Sequence, residues 1–377
     1  MSEDEVKGNF SKRSSRWKII LAALVVALII TIIASLDIGF ASQTPANMKL
    51  AIPQISFIQI LYILGKQIPF VGNKINVSAV FTKPGDLASA QNIIMLIRLP
   101  RILAAALVGA GLAAAGVIYQ GVFRNPMADS YLLGVSAGAS LGYAVAILYI
   151  SSALTIAGLG ISQAFAFIFA LLTVFLALLI ARSGTRIPVV NLLLTGLVLN
   201  IFFLALFSLL EIRAGKALGE IVAFTLGSFS SIVWTHVWVV FPFVIVGIAL
   251  TFFFTRDLNM FSMGDETAQH LGVNTERVRI FLLVIASLMT AAAVAISGVI
   301  GFVGLIIPHM TRLAIGPDHR ILLPTSAVVG AMFMVICDAV VRVATGASEL
   351  PVGVITALVG TPVFFYLLKR RKTSYSL

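Results

Sequence analysis

The sequence predicts an all-α polytopic membrane bundle of about ten transmembrane helices. Three observations carry that prediction. First, 59% of the 377 residues are hydrophobic and 11% are charged, against about 25% charged in a soluble globular domain. A chain this apolar cannot cover a soluble surface, and its mean hydropathy of +1.06 agrees. Second, apolar runs recur, each near the ~20 residues that a bilayer core requires, with short polar turns between them. Third, glycine and alanine crowd the runs, most densely over residues 98–142, which hold Gly109, Gly111, Gly116, Gly134, Gly138 and Gly142. In a soluble helix each glycine costs about 1 kcal/mol against alanine. In a bilayer small residues let helix backbones approach closely.

Charge placement narrows the class. The net charge of +11 could point to nucleic acid. The cations instead sit between apolar runs, where cytoplasmic loops are basic, and no basic stripe interleaves with aromatics. The single cysteine, Cys337, excludes an intrachain disulfide and a cysteine-rich metal site.

Residues 1–18 read as a polar, basic, frayed cytoplasmic tail, and residues 19–368 as one transmembrane domain. Span one covers 19–36. A cleaved signal peptide is the alternative, disfavoured by the length of the apolar run. Residues 37–92 form a long extracytoplasmic segment whose piece ISFIQILYILGKQI is too short and amphipathic to span, and suits the interface. The remaining spans fall near 98–120, 132–150, 164–181, 189–210, 234–254, 280–297, 299–315 (broken by Pro308), 321–345 and 352–368. Residues 211–233 read as a short helix lying outside the core, and 255–279 as a polar cytoplasmic loop. Residues 369–377 form a basic cytoplasmic tail.

Ten spans put both termini inside, and the basic loops at 182–186, 255–279, 312–320 and 369–372 then obey the charge rule. Arg98, Arg101, Arg342 and Glu349 fall at the outer surface. The arginines run against the rule, which makes them functional candidates.

Each candidate has a plain alternative. Arg98 and Arg101 share a helix face and form either a positive dock or a pair snorkelling to lipid phosphates. Asp338 and Arg342, four apart, form either a local ion pair or an outward-facing extension of that dock. In GDETAQHLG, residues 264–272, Ala268 and Leu271 make one apolar stripe on a short helix with glycines at either end. Such a helix suits a cleft on a cytoplasmic partner, or is a solvated loop helix. His309 and His319 show no metal-ligand spacing, no phosphate-binding glycine loop is present, and no nucleophile–base set supports an intramembrane enzyme.

Several ordered motifs then carry a resemblance. These are RLPR at 98–101, QGVFRNPMADSYLLGVSAGA at 120–139, GDETAQHLGV at 264–273, SGVIGFVGLIIPHMTRL at 297–313, DHRILLP at 318–324, the Asp338–Arg342 segment and ELPVGVITALVGTPVF at 349–364. With them the chain resembles the permease subunits of ATP-binding-cassette importers for vitamin B12, ferric siderophores and haem, over nearly all of 90–368. The resemblance implies a type II importer permease working as a dimer, with two ATPase subunits beneath and a substrate-binding protein docking outside. It implies that Arg98, Arg101 and Arg342 meet carboxylates of that protein. It implies that Gly264, Asp265, Glu266, Ala268, Leu271 and Gly272 couple to the ATPase, and that Asn125, Pro126 and Met127 lie at the inner gate. It implies no cofactor and no chemistry by this chain, and it puts iron–siderophore ahead of haem and cobalamin as cargo.

Segment 37–92 is longer than the family leads one to expect. Loop 183–189 matches poorly, so no gate residue is carried over there. An ion-driven secondary transporter is the alternative. It would need ionisable groups near the bilayer midplane, where this chain has almost none.

Overall fold

A computed structural model describes residues 3–38, 56–66, 84–150, 154–156, 158–184, 186–344 and 350–372. Most of the predicted extracytoplasmic segment, and Glu349, lie outside the described residues.

Helix α1 runs Glu3–Asp37, so the backbone is helical well before the apolar run begins at residue 19. The short helix α2, Phe57–Lys66, buries Ile60, Tyr62 and Ile63 and leaves the apolar Phe57, Ile58 and Leu61 exposed. Helix α3, Pro84–Asn92, passes through a π-helical turn at Ile93–Arg98 into α4, Leu99–Val122. Pro100 stands at the second position of α4, directly after the π turn, so the helix runs on with one backbone donor missing there.

A 3-10 turn, Ser130–Leu133, leads into α5, Val135–Tyr149. A small hairpin, β1 Thr155–Ile156 with β2 Leu159–Gly160, is antiparallel with Thr155 opposite Gly160. Then follow α6, Ile161–Ala181; α7, Val189–Arg213; α8, Leu218–Leu226; and α9, Trp234–Phe253. The polar loop holds two short helices, α10, Thr255–Phe261, and α11, Asp265–His270. The chain continues with α12, Thr275–Ser297; α13, Val303–Ile315; α14, His319–Ala344; and α15, Val352–Lys372.

Among the described residues seven helices are long and apolar enough to cross a membrane, and four shorter apolar ones, α2, α5, α13 and α15, accompany them, close to the predicted count of about ten. Helix α4 is central. It packs against α14, α12, α9 and α13, while α5 packs on α6 and α7. The small residues are what permit this. A Cβ on Gly109 would collide with the Gly330 carbonyl of α14, and one on Gly116 with the Gly304 carbonyl of α13. With little hydrophobic drive between helices in lipid, such backbone contacts carry association.

Two expectations are corrected. Residues 211–233 do not lie outside the core. Their helix α8 buries Ile221 and Phe224, and the Phe224 carbonyl accepts the Val299 N–H at 3.0 Å. Pro308 does not break span eight. It sits inside α13, and the break comes earlier, at 298–302, where Gly298 and Phe302 both adopt positive φ.

Candidate functional site

At one end of the bundle the three arginines converge, but they are not exposed. Arg98 and Arg101 are each 7% exposed and Arg342 4%, which corrects the expectation of an outward-facing Arg342. Asp338 joins two of them, Arg101 and Arg342. Its Oδ1 accepts the Arg101 Nε–H at 2.8 Å, and its Oδ2 lies 3.0 Å from Arg342 Nε. The remaining guanidinium donors turn to the last turn of α1. Arg98 Nη1 donates to the Leu36 carbonyl at 2.7 Å, and Arg342 Nη1 to the Ser35 carbonyl at 2.9 Å and to that of Ile38. Arg342 Nη2 also reaches the Ser35 hydroxyl. The final carbonyls of a helix lack internal partners, and here two arginines supply them. The i,i+4 pair was visible in the sequence. The Arg101–Asp338 bond joins residues 237 apart and was not.

The opposite end carries the loop between α9 and α12. Gly264 precedes α11 at φ +108° and Gly272 follows it at φ +89°, so the glycines bracket the helix as expected. The shared apolar stripe is corrected. Ala268 is fully buried and anchors α11 inward, whereas Leu271 sits just beyond the helix and is 56% exposed. Asp265 and Glu266 fall in the first turn, where carboxylates complement the helix dipole. Val273 N donates to the Ala268 carbonyl at 3.0 Å and folds the chain back into α12, whose start is capped by Asn274 accepting from Arg277 N.

Beside this loop lies the turn after α4. Asn125 Oδ1 accepts the Met127 N–H at 3.0 Å and closes the turn across Pro126. Arg124, just before it, has φ +50°, unusual for a residue other than glycine. Asp129 accepts the Tyr131 N–H at 3.0 Å. Desolvation pushes its carboxyl up to about 6, with the Tyr131 and Leu132 N–H groups acting against the rise. The end of α4 is tied to α13 through Gln120, which donates to the Leu305 carbonyl at 2.9 Å and accepts from Arg312 at 2.8 Å. A cavity of about 370 Å³ opens here, lined by Gln120, Arg124, Pro126, Ser262, Arg312 and His319 among others. Among the described residues no three His, Cys, Asp or Glu side chains gather as metal ligands would.

Three residues missed by sequence reasoning join these parts. Arg279 of α12, its side chain 6% exposed, donates to Asp265 Oδ2 at 2.7 Å and to Glu276 Oε2 at 3.3 Å. Glu276 Oε1 accepts the Ile187 N–H at 2.6 Å. Arg124 Nη2 lies 3.6 Å from the same Asp265 oxygen. Only the i,i+3 spacing of Glu276 and Arg279 was there to be read.

Residues 55–370 match the model of the FecCD transport family. The chain is 44% identical over 284 residues to the cobalamin import system permease protein of Halobacterium salinarum, covering 75% of each chain. It is 37% identical over 281 residues to the hemin transport system permease protein of Yersinia pestis, covering 74% of this chain and 84% of that one. A solved structure, described as an inward-facing conformation of a metal-chelate type ABC transporter, superposes with a TM-score of 0.75 at 32% identity. It covers 93% of this chain and 99% of that one.

Proposed function

The chain belongs to the FecCD transport family, and from that premise we propose that it carries a bulky metal chelate into the cytoplasm by alternating access. As a permease of a type II ABC importer it does no covalent chemistry, and the ATPase is a separate subunit. In our reading two permease copies or paralogues enclose the path, both termini are cytoplasmic, two ATPase subunits sit beneath the α10–α11 loop, and a substrate-binding protein docks at the arginine end. Iron–siderophore, haem and cobalamin are the cargo candidates. Iron–siderophore leads, and the 44% identity to the cobalamin relative makes cobalamin the next cargo to test.

The observation that carries the reading is α11: a short helix fastened by buried Ala268, with Leu271 left outward at its end. An apolar residue held rigidly beneath a membrane bundle suits a cleft on a partner. The ion-driven alternative is disfavoured because α4 between Arg101 and Arg124, α12 between Arg279 and Ser297, and α14 between Arg320 and Asp338 contain no charged residue.

The test is reconstitution of the permease with its ATPase and binding protein in proteoliposomes. Leu271→Ala should lower uptake per ATP hydrolysed by about tenfold. An unchanged ratio, or a wild-type permease that captures no ATPase, would reject the coupling assignment. Docking is tested separately. Arg101 and Arg342 share Asp338 and Arg98 lies near Asp37, three cations against two carboxylates, so a positive excess remains to attract carboxylates of a partner. Charge reversal at Arg98 and Arg101 should weaken capture of the binding protein by about tenfold or more, with ATPase capture as the control for folding. Undiminished capture removes the dock.

A further inference from the structure

We propose that Arg279 is the hub through which movement of α11 reaches two loops at once, one arm running through Asp265 to Arg124 and the 124–127 turn, the other through Glu276 to Ile187 and the 183–187 loop. The inference rests on the coupling reading above and adds the residues that would carry the motion. The resemblance gave no role to Arg279 or Glu276, placed the inner gate at the turn that Arg124 opens, and carried no gate residue over to the 183–187 loop.

The geometry makes Arg279 a fork. One guanidinium nitrogen, Nη2, holds Asp265 at 2.7 Å, and the other, Nη1, holds Glu276 at 3.3 Å. Its side chain is 6% exposed, so it is fixed within α12, one of the most buried helices of the bundle. Charge-assisted bonds of this kind are directional and about twice as strong as neutral ones. Asp265 is the first residue of α11, so any displacement of that helix pulls on the fork directly. Beyond Asp265 stands Arg124, 3.6 Å away and one residue before the turn at Asn125-Pro126-Met127.

The second arm is shorter. Glu276 uses one oxygen for Arg279 and the other for the Ile187 N–H at 2.6 Å. Ile187 ends a tight loop closed by the reciprocal backbone bonds of Ser183 and Arg186, at 2.9 and 3.2 Å. Ile187 itself is buried. The loop therefore moves as a unit with Glu276 rather than sliding past it. Two segments far apart in sequence, 124–127 and 183–187, are thus tied to one side chain on the helix that follows the coupling loop. A hub of this form makes the two loops answer to one displacement.

The experiment uses the complete transporter in proteoliposomes, reading ATP hydrolysis and cargo uptake in the same preparation. Arg279→Gln should lower uptake per ATP by about tenfold, and Arg124→Ala and Glu276→Gln by about threefold each. Adding either arm variant to Arg279→Gln should cause no further loss, since the hub is already cut. Full additivity would overturn the proposal, and so would an unchanged ratio in Arg279→Gln. A merely structural role predicts that hydrolysis and uptake fall together with assembly yield, which would overturn it as well. Should Arg279→Gln fail to assemble, Arg124→Ala decides alone. Its side chain is 43% exposed and bears little of the fold, so an unchanged ratio in that variant overturns the gate arm. Failure of the coupling reading looks different, because the wild-type permease would then neither capture nor respond to an ATPase.

Discussion

Asp338→Ala is expected to destabilise the permease by about 3–5 kcal/mol, the usual cost of removing one member of a buried ion cluster. The carboxylate is fully buried and is shared by Arg101 at 2.8 Å and Arg342 at 3.0 Å. Without it two guanidiniums stand side by side in a poorly solvated site. The loss is read as a lower thermal midpoint of tryptophan fluorescence in detergent. Trp234 reports from the same end, since its indole N–H donates to the Met95 carbonyl just before Arg98. Asp338→Glu should recover part of the loss by keeping the charge. A midpoint unchanged in Asp338→Ala would mean that the arginines are already neutralised by other means.

Gly116→Val should have the second large effect. A Cβ at this position runs into the backbone of Gly304, which has no side chain to move aside. Overpacking ordinarily costs about 1–3 kcal/mol. Against rigid backbone the cost should reach the top of that range or exceed it, and the yield of monodisperse protein should collapse. Gly219→Ala is the matched control. Nothing stands within 4 Å of a Cβ there, and alanine in place of a helical glycine should be neutral or stabilising by up to about 1 kcal/mol. If the two variants purify equally well, the close α4–α13 crossing is wrong.

Local features of the chain were legible because they depend on residues near one another. Run length and hydropathy located the long apolar helices. The amphipathic rhythm of FIQILYILGK marked a helix too short to cross. The glycines at 264 and 272 bracketed α11. What escaped depends on partners distant in sequence. Whether an arginine is exposed or buried is decided by where carbonyls and carboxylates lie in space, and those facing Arg98, Arg101 and Arg342 come from α1 and α14. The side on which Ala268 falls is decided by the neighbours of α11, because a six-residue helix has too few turns for its own pattern to fix a face. The break at 298–302 and the burial of α8 were hidden for a related reason. Val299 and Gly298 form a seat for Phe224, and neither segment alone advertises the other.

The mooring of α1 bears on the order in which this protein is made. Ser35 and Arg342 are 307 residues apart, so α1 leaves the ribosome long before α14. During synthesis the carbonyls closing α1 therefore have no Arg342 to receive them until most of the chain is in the bilayer. Arg98 arrives one span after α1 and offers a single bond at Leu36 in the meantime. A nascent chain arrested before α14 should accordingly keep the far end of its first helix open to proteolysis, and a finished chain should not. The arginine cluster is in that sense a completion mark for biogenesis, set only when α14 has come to rest beside α1.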